Sequence, residues 1–348
     1  MSKKHLKSKG MKNKLRVGII GAGLIGFKRA KAILELGQDS VVGVCDINQK
    51  RAEELGALTG AKVFKTWQDL VKAPNMDAVV VAAFHKDLPV MTIAAFKNSK
   101  HVLAEKTLGW DGKDAKRIYL ASKKAGKVLK VGFNHRFHPA ISKAHQMFKA
   151  GAIGEIMFIR AAYGHGGRPN YGLEWRLQKK YTRGGEMYDQ GSHMTDLSLW
   201  FLKKFDKVFG NAKNYFWKQA NLEDNAFCQL ITKKGQTSSF QVSLTQWKNH
   251  FSFDIYGTKG YLLVHGLGRS YGVETLIYGS NVGKGKVPKE KIWEFPGEDI
   301  SWTEEWKNFR QGIFQHKPVL SSGADNVEVL KIIDGLYESA ASGKLIKI

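Results

Sequence analysis

A doubly wound α/β unit followed by an α+β unit is the fold class this sequence predicts, on three observations. From Leu15 to about residue 133, short β-branched runs alternate with amphipathic segments, the pattern of a parallel sheet built from βαβ units. From Asp206 onward, strand-like runs follow one another through hairpin-like turns, the pattern of an antiparallel sheet. The length of 348 residues exceeds one ordinary core and suits two domains.

LRVGII is the first strand, and LIGFKRAKAILEL the helix that follows a glycine turn. SVVGVCDI is the second strand, and QKRAEELGALTG a helix closed by Gly60. AKVF is a short third strand, and TWQDLVKAP a helix with Thr66 as N-cap and Pro74 as its stop. DAVVVAA is a buried strand, LPVMTIAAFKNS a helix and HVLAEK a strand. The amphipathic DGKDAKRIYLASKKAG and the strand KVLKVGFN complete the first sheet. PAISKAHQMFKAGAIG is a helix leading into the strand EIMFIRAAYG, and a polar, aromatic, glycine-rich loop spans residues 164–185. A helix around SHMTDLSLWFL precedes the hairpin strands. In the tail, Val327, Leu330, Ile333, Leu336 and Tyr337 recur at helical spacing. The expected division is a basic flexible tail over 1–14, a nucleotide-binding unit over 15–133 and a substrate and self-association unit over 134–323. A C-terminal helix and tail over 324–348 complete it.

With 43% apolar and 25% charged residues, the composition is that of a globular chain. Its apolar runs are strand-length, far below the roughly 20 residues of a membrane span. The opening MSKKHLKSKGMKNK has no apolar stretch or cleavage site of a signal peptide. A cytoplasmic protein is expected, with Cys45 and Cys228 as reduced structural thiols. A net charge of +24 raises nucleic acid, anionic membranes and anionic substrates as partners. The lysines are scattered, and no zinc finger, RNA-binding aromatic motif or basic heptad helix accompanies them, so neither nucleic acid nor membrane is expected. A cationic surface suits a phosphorylated or nucleotide-linked substrate, and a lysine-rich background explains the charge equally well.

Gly21-Ala22-Gly23-Leu24-Ile25-Gly26 matches G-x-G-x-x-G between a predicted strand and a predicted helix, the context that motif requires. The glycines allow a tight turn and close approach of a pyrophosphate, which the helix N-terminus attracts. Asp46 ends the second strand 20 residues beyond Gly26 (46 − 26), where a carboxylate accepts ribose hydroxyls and repels a 2′-phosphate. A Rossmann domain binding NAD in preference to NADP is expected.

With that fingerprint, the motifs AEKT, VGFNHRFHP, GAIGEI and GGEMYDQGSHMTDL resemble the Gfo/Idh/MocA family of sugar and polyol oxidoreductases, from Leu15 to the C-terminus. The resemblance implies an open, largely antiparallel second sheet and a C-terminal helix returning toward the first domain. It also implies a homodimer or homotetramer formed through the sheet's outer face. The family's Glu-Lys-Pro stands here as Glu105-Lys106-Thr107, with Lys106 at the position that contacts the reacting hydroxyl. A cis bond before a residue other than proline costs about 2.5–4 kcal/mol, so the exchange for Thr107 bears on where Lys106 is aimed. Where the family shows Thr-Pro-Asn, this chain reads Ala83-Phe84-His85, with His85 a candidate for the nicotinamide end or an ordinary loop histidine.

Asp189 and His193 lie four residues apart (193 − 189) and share a face if one helix covers both. Spacing alone fits equally a catalytic pair and a helix cap above a packed histidine. The resemblance implies the former, with His193 as proton acceptor and Asp189 orienting it. Oxidising a secondary alcohol needs a hydride path to nicotinamide and a base, and a nearby ammonium steadies the alkoxide. No further ligand motif accompanies these residues, and no metal is expected. Tyr163, His165, Arg168, Tyr171, Trp175, Arg176 and Arg183 around the long loop are candidates to grip a hydroxyl-rich substrate. Asn134 and Arg136, in the hinge-like GFNHRF, are candidates for nicotinamide or substrate. A dehydrogenase acting on a sugar, polyol or nucleotide-linked sugar is the leading reading. A non-catalytic NAD or sugar sensor and an NAD-dependent glycosidase are the alternatives on the same fold.

Overall fold

The computed structural model describes residues 14–280, 283, 285 and 287–348. The expected basic tail lies outside the described residues except for Lys14. The first unit runs β1 (Arg16–Ile20), α1 (Leu24–Leu36), β2 (Ser40–Cys45), α2 (Gln49–Thr59), β3 (Lys62–Val63) and α3 (Trp67–Lys72). It continues through β4 (Ala78–Val81), α4 (Leu88–Lys97), β5 (His101–Ala104), α5 (Gly112–Ala125) and β6 (Leu129–Val131). All pairings are parallel, in the order β3-β2-β1-β4-β5-β6. Strand order therefore reverses at β1 and β4, and a ligand crevice forms outside their carboxyl ends. Thr66 caps α3 by accepting the Asp69 N–H, and Gly60 closes α2 in the left-handed region.

The second unit opens with α6 (Pro139–Lys149), β7 (Ile156–Gly164) and α7 (Glu186–Leu202). There follow β8 (Lys207–Lys213), β9 (Asn225–Ile231), β10 (Thr237–Ser243), β11 (His250–Gly257), β12 (Gly260–His265), β13 (Glu274–Ser280) and β14 (Lys289–Phe295). The chain ends with α8 (Ser301–Phe314), α9 (Gly323–Ser342) and β15 (Ile346–Lys347). The sheet order is β14-β13-β12-β11-β7-β10-β9-β8-β15. Its pairings are antiparallel except β7 with β10. α7 lies across the inner face, buried from Glu186 through Phe201.

Three features depart from expectation. α7 starts at Glu186 with Gly185 as its N-cap, so Asp189 is inside the helix and the capping alternative fails. α8 lies within the span assigned to the second unit, yet it packs on α1. Its Trp306 and Phe309 join the core formed by Val17, Ile19, Ala30 and Ile33. Arg310 of the same helix pairs with Asp39 on the loop before β2. The tail divides its allegiance: α9 packs on α5 but equally on β8, and β15 extends the second sheet. Gly335 permits this, since a Cβ there would press within 2.7 Å of Ile348. Cys45 and Cys228 are buried and unpaired, and among the described residues no helix is long and apolar enough to cross a membrane.

His101 at the start of β5 accepts the Val128 N–H on Nδ1 at 3.1 Å, and burial pushes it down to about 4. Its folded value lies below the ordinary 6.5, so below pH 6.5 the unfolded chain binds more protons and stability falls as pH drops toward 4. His101→Gln is expected to flatten this decline. Melting curves of parent and variant between pH 7 and 4.5 check it, and parallel curves would refute the assignment.

Candidate active site

The turn after β1 is shaped by what each glycine excludes. Gly21 has φ +98°, and a Cβ there would collide with the Ala82 carbonyl. A Cβ on Gly26 would collide with the Gly21 carbonyl, so helix and turn approach only without side chains. Gly23 differs, because a Cβ there would meet nothing within 4 Å. α1 has no side-chain cap and no acidic residue in its first turn. Its free N–H groups and positive dipole end are thus open to an anion. Asp46 sits against this turn, accepting Ala22 N at 2.6 Å and Asn48 N at 2.7 Å. An uncovered helix start beside a carboxylate fits a dinucleotide's phosphates and ribose.

Beside the turn lies a cavity of about 370 Å³ between the two sheets. From the first unit it is lined by Leu24, Ile25, Ala83, His85, Glu105 and Lys106. Asn134 joins the two units, and Tyr163, His165, Arg168, Tyr171, Trp175, Arg176, Asp189 and His193 complete the candidates brought together there. Gly21, Gly23, Gly26 and Asp46 stay on the adjoining turn.

Two candidates are elsewhere. Arg136 is buried outside the cavity, where its guanidinium binds both oxygens of Asp196 at 2.8 and 2.6 Å. That bidentate pair consumes the donors a substrate would need. Arg183 points away, onto Asp334 and the Trp110 carbonyl.

Lys106 enters the cavity from the end of β5. The Lys106–Thr107 peptide bond is cis, and Thr107 Oγ1 donates to the Tyr188 carbonyl of α7 at 2.9 Å. Lys106 Nζ donates to the Asp189 carboxylate and, at 3.0 Å, to the Asp189 carbonyl. Arg176 Nε lies 3.3 Å from the other carboxylate oxygen. Burial opposes ionisation of Asp189, but Lys106, Arg176 and His85 together outweigh it and hold the group below the usual carboxylate range.

The expectation that Asp189 orients His193 is corrected by this pairing, since both carboxylate oxygens face cations. His193 lies instead flat on His135, with ring centroids 3.7 Å apart, and burial pushes it well below an ordinary histidine. His85 bonds Thr182 Oγ1 at 2.8 Å and packs edge-on to Trp175 and Tyr188, and burial pushes it down to about 3.

The sequence reading missed several lining groups. His135 and His138 stand within the quoted VGFNHRFHP, so the motif itself could have yielded them. Gln190 adjoins Asp189 and lines the cavity beside it. Tyr271 faces Tyr163 with centroids 5.2 Å apart. Trp302, at the start of α8, covers Lys28 and Arg29 of α1 and donates its indole N–H to Asp299 at 2.9 Å. Trp302, Trp306, Phe309 and Ile313 recur at helical spacing, a signal that could have found α8.

Comparison with known proteins agrees with this architecture. Residues 15–133 match the family model of an oxidoreductase family with an NAD-binding Rossmann fold. Residues 141–263 match that of the Gfo/Idh/MocA C-terminal domain. Levoglucosan dehydrogenase of Pseudarthrobacter phenanthrenivorans is 24% identical, covering 96% of this chain and 98% of its own. Glucose-6-phosphate 3-dehydrogenase of Bacillus subtilis is 25% identical, covering 91% and 95%. A solved levoglucosan dehydrogenase in complex with NADH superposes with TM-score 0.88 at 23% identity, covering 96% of this chain and 99% of that one. With a nucleotide-binding turn of the required shape and both family domains matched in order, this chain belongs to the Gfo/Idh/MocA family of oxidoreductases.

Proposed function

We propose that this protein is an NAD-dependent dehydrogenase that moves a hydride between nicotinamide and a secondary hydroxyl of a neutral sugar or polyol. The observation that carries the reading is that Lys106, Asp189 and His193 share one cavity with Leu24 and Ile25 of the glycine turn. The turn from Gly21 to Gly26 and Asp46 would hold the pyrophosphate and adenosine ribose. Ala83, His85, Glu105 and Asn134 would surround the nicotinamide end. Bound NAD supplies the hydride acceptor. Lys106 and His193 then meet the hydroxyl from the protein side, Asp189 fixes Lys106, and the aromatic walls exclude water. The named relatives act on levoglucosan and glucose 6-phosphate, and myo-inositol 2-dehydrogenase of Thermotoga maritima is 22% identical over 96% of this chain.

A neutral substrate is favoured over a phosphorylated or nucleotide-linked one by charge. Each cation on the substrate side already has a carboxylate: Lys106 and Arg176 share Asp189, and Arg168 pairs with Glu174 at 2.6 Å. Tyr163, Tyr171, Trp175 and Tyr271 supply faces for a sugar ring. The test is NADH absorbance with paired substrates such as glucose and glucose 6-phosphate, levoglucosan and myo-inositol, plus a sugar nucleotide. Neutral compounds are expected to give the higher kcat/KM. Turnover confined to phosphorylated or nucleotide-linked sugars would refute that specificity. Absence of NADH formation with bound sugar would favour a sensor, and release of free sugar without net NADH would favour a glycosidase.

Asp46→Ala is expected to shift the NAD-over-NADP preference by at least about tenfold, or about 1.4 kcal/mol, because the carboxylate no longer repels a 2′-phosphate. Titration with both cofactors checks it, and an unchanged ratio would assign the discrimination to another residue.

A further inference from the structure

Two segments outside the cavity are fastened to its mouth. Gln246 N donates to the His165 carbonyl at 3.3 Å, and Asn249 Nδ2 donates to the Ser270 carbonyl at 2.7 Å. His165 and Ser270 both line the cavity, so Trp247 stands between two tethers to its rim. The second segment leans on the loop that carries Arg168 and Tyr171. The Trp217 ring lies so close to Gly167 that a Cβ there would come within 2.6 Å of it. Its indole N–H is committed to the Leu244 carbonyl at 3.1 Å.

These tethers set up a row of rings that leads out of the cavity. Tyr171, a cavity residue 5% exposed, has its ring centroid 6.0 Å from that of Trp217. Trp217 is 5.2 Å from Phe216, and Phe216 is 4.8 Å from Trp247. Exposure rises along the row, to 53% at Phe216 and 64% at Trp247. Leaving such rings in water forgoes their burial, and contiguous exposed apolar surface marks a binding site. Trp247 also holds φ at +60°, a region that bulky side chains rarely adopt and that clusters at ligand sites.

The position of the row says what covers it. Its first ring is a wall of the cavity, so its occupant is continuous with the molecule bound there. Each step is on the scale of one pyranose ring. A pyranose presents C–H bonds on its faces and hydroxyls around its edge, so aromatic surface takes the face while water keeps the edge. Arg168, whose guanidinium lies 5.3 Å from the Tyr171 ring, is already paired with Glu174 and offers no uncompensated charge to an anionic group.

We propose that this row is a second sugar subsite, and that the preferred substrate is a neutral glycoside. One ring reacts in the cavity and a second rests against Phe216 and Trp247. The inference rests on the dehydrogenase reading above and specifies its substrate class. The second ring is chemically unchanged. Its contacts are the same in ground and transition state, so they lower KM and leave kcat little altered.

Maltose, cellobiose and gentiobiose are compared with methyl α- and β-glucoside, which keep the glycosidic linkage but end after one ring. Calorimetric titration in the presence of NADH, which leaves a hydroxyl compound unreacted, reads binding alone. NADH formation from NAD reads turnover. At least one disaccharide is expected to bind about tenfold more tightly than the methyl glucosides, the scale of one apolar ring face removed from water. The same advantage is expected in kcat/KM. Trp247→Ala and Phe216→Ala, both at exposed positions where the fold persists, are expected to abolish most of that advantage, and Trp247→Phe to keep it. Disaccharides that bind no better than methyl glucosides would overturn the proposal. Ala variants that weaken one-ring and two-ring compounds equally would do the same, assigning these residues to the shape of the rim. An altered solution mass in Trp247→Ala, with the disaccharide advantage intact, would replace the subsite by a contact with a second copy. Disaccharide binding that depends on Trp247 without any NADH formation would instead remove the dehydrogenase reading and leave the subsite standing.

Discussion

Lys106→Met is expected to lower kcat by about 10³-fold or more, within the range found for lost proton transfer combined with a lost oxyanion donor, while NAD affinity stays within a few fold. Methionine keeps roughly the length and apolar stem of lysine but contributes neither charge nor proton. Asp189 would remain held by Arg176 at 3.3 Å, so the helix and cavity wall should persist. The cofactor turn, with Gly21, Gly23 and Asp46, is formed by other elements and keeps its own contacts. Steady-state kinetics with the best neutral substrate, together with an NAD titration, separate the two effects. More than a tenth of parental kcat would remove Lys106 from the chemistry, and a large loss of NAD affinity would reassign it to cofactor binding.

Arg29→Ala is expected to destabilise the fold by about 3–5 kcal/mol, the cost of removing one partner from a buried ionic group. Arg29 is 1% exposed on α1 and reaches Glu105 at 2.7 Å and Glu305 at 2.5 Å. It thereby binds the cofactor helix to the residue preceding Lys106 and to α8. Lys130 stands 3.9 Å from the other oxygen of Glu305, and burial pushes its amine down to about 7. Without Arg29, two buried carboxylates lose their hydrogen-bonded cation. The direction with pH is also fixed. Burial already raises Glu105 in the folded protein, and losing Arg29 raises it further. The folded variant then binds more protons than the unfolded chain, so its deficit should shrink as pH falls from 8 to 5. Denaturant unfolding at both values checks this. A deficit below about 1 kcal/mol would mean that the ionic group contributes no more than an exposed pair.

The local signals in this sequence were sufficient for the first unit. A glycine fingerprint between a strand and a helix, Thr66 and Gly60 at helix ends, and β-branched runs at regular intervals act through neighbours a few residues away. They were therefore legible along the chain and reappear as β1 through β6. The candidate site was legible in part of its membership: Lys106, Asp189, His193 and most of the residue 164–185 loop candidates do line one cavity, alongside Gln190, Tyr271 and Trp302, which were not read from the sequence. Its pairings were not. Arg136 looked available because it stands in the hinge-like GFNHRF, yet its partner Asp196 is 60 positions away in sequence.

Sequence alone determined the family, the nucleotide-binding turn and the residue types of the cavity, because covalent spacing and backbone preference set those. Tertiary structure decided that Asp189 serves Lys106 and Arg176 rather than His193, that α8 closes over α1, and that His193 rests on His135. Hydrogen bonds and ion pairs between distant segments are chosen by which side chains packing brings within about 3 Å. Spacing along the chain carries no record of that choice.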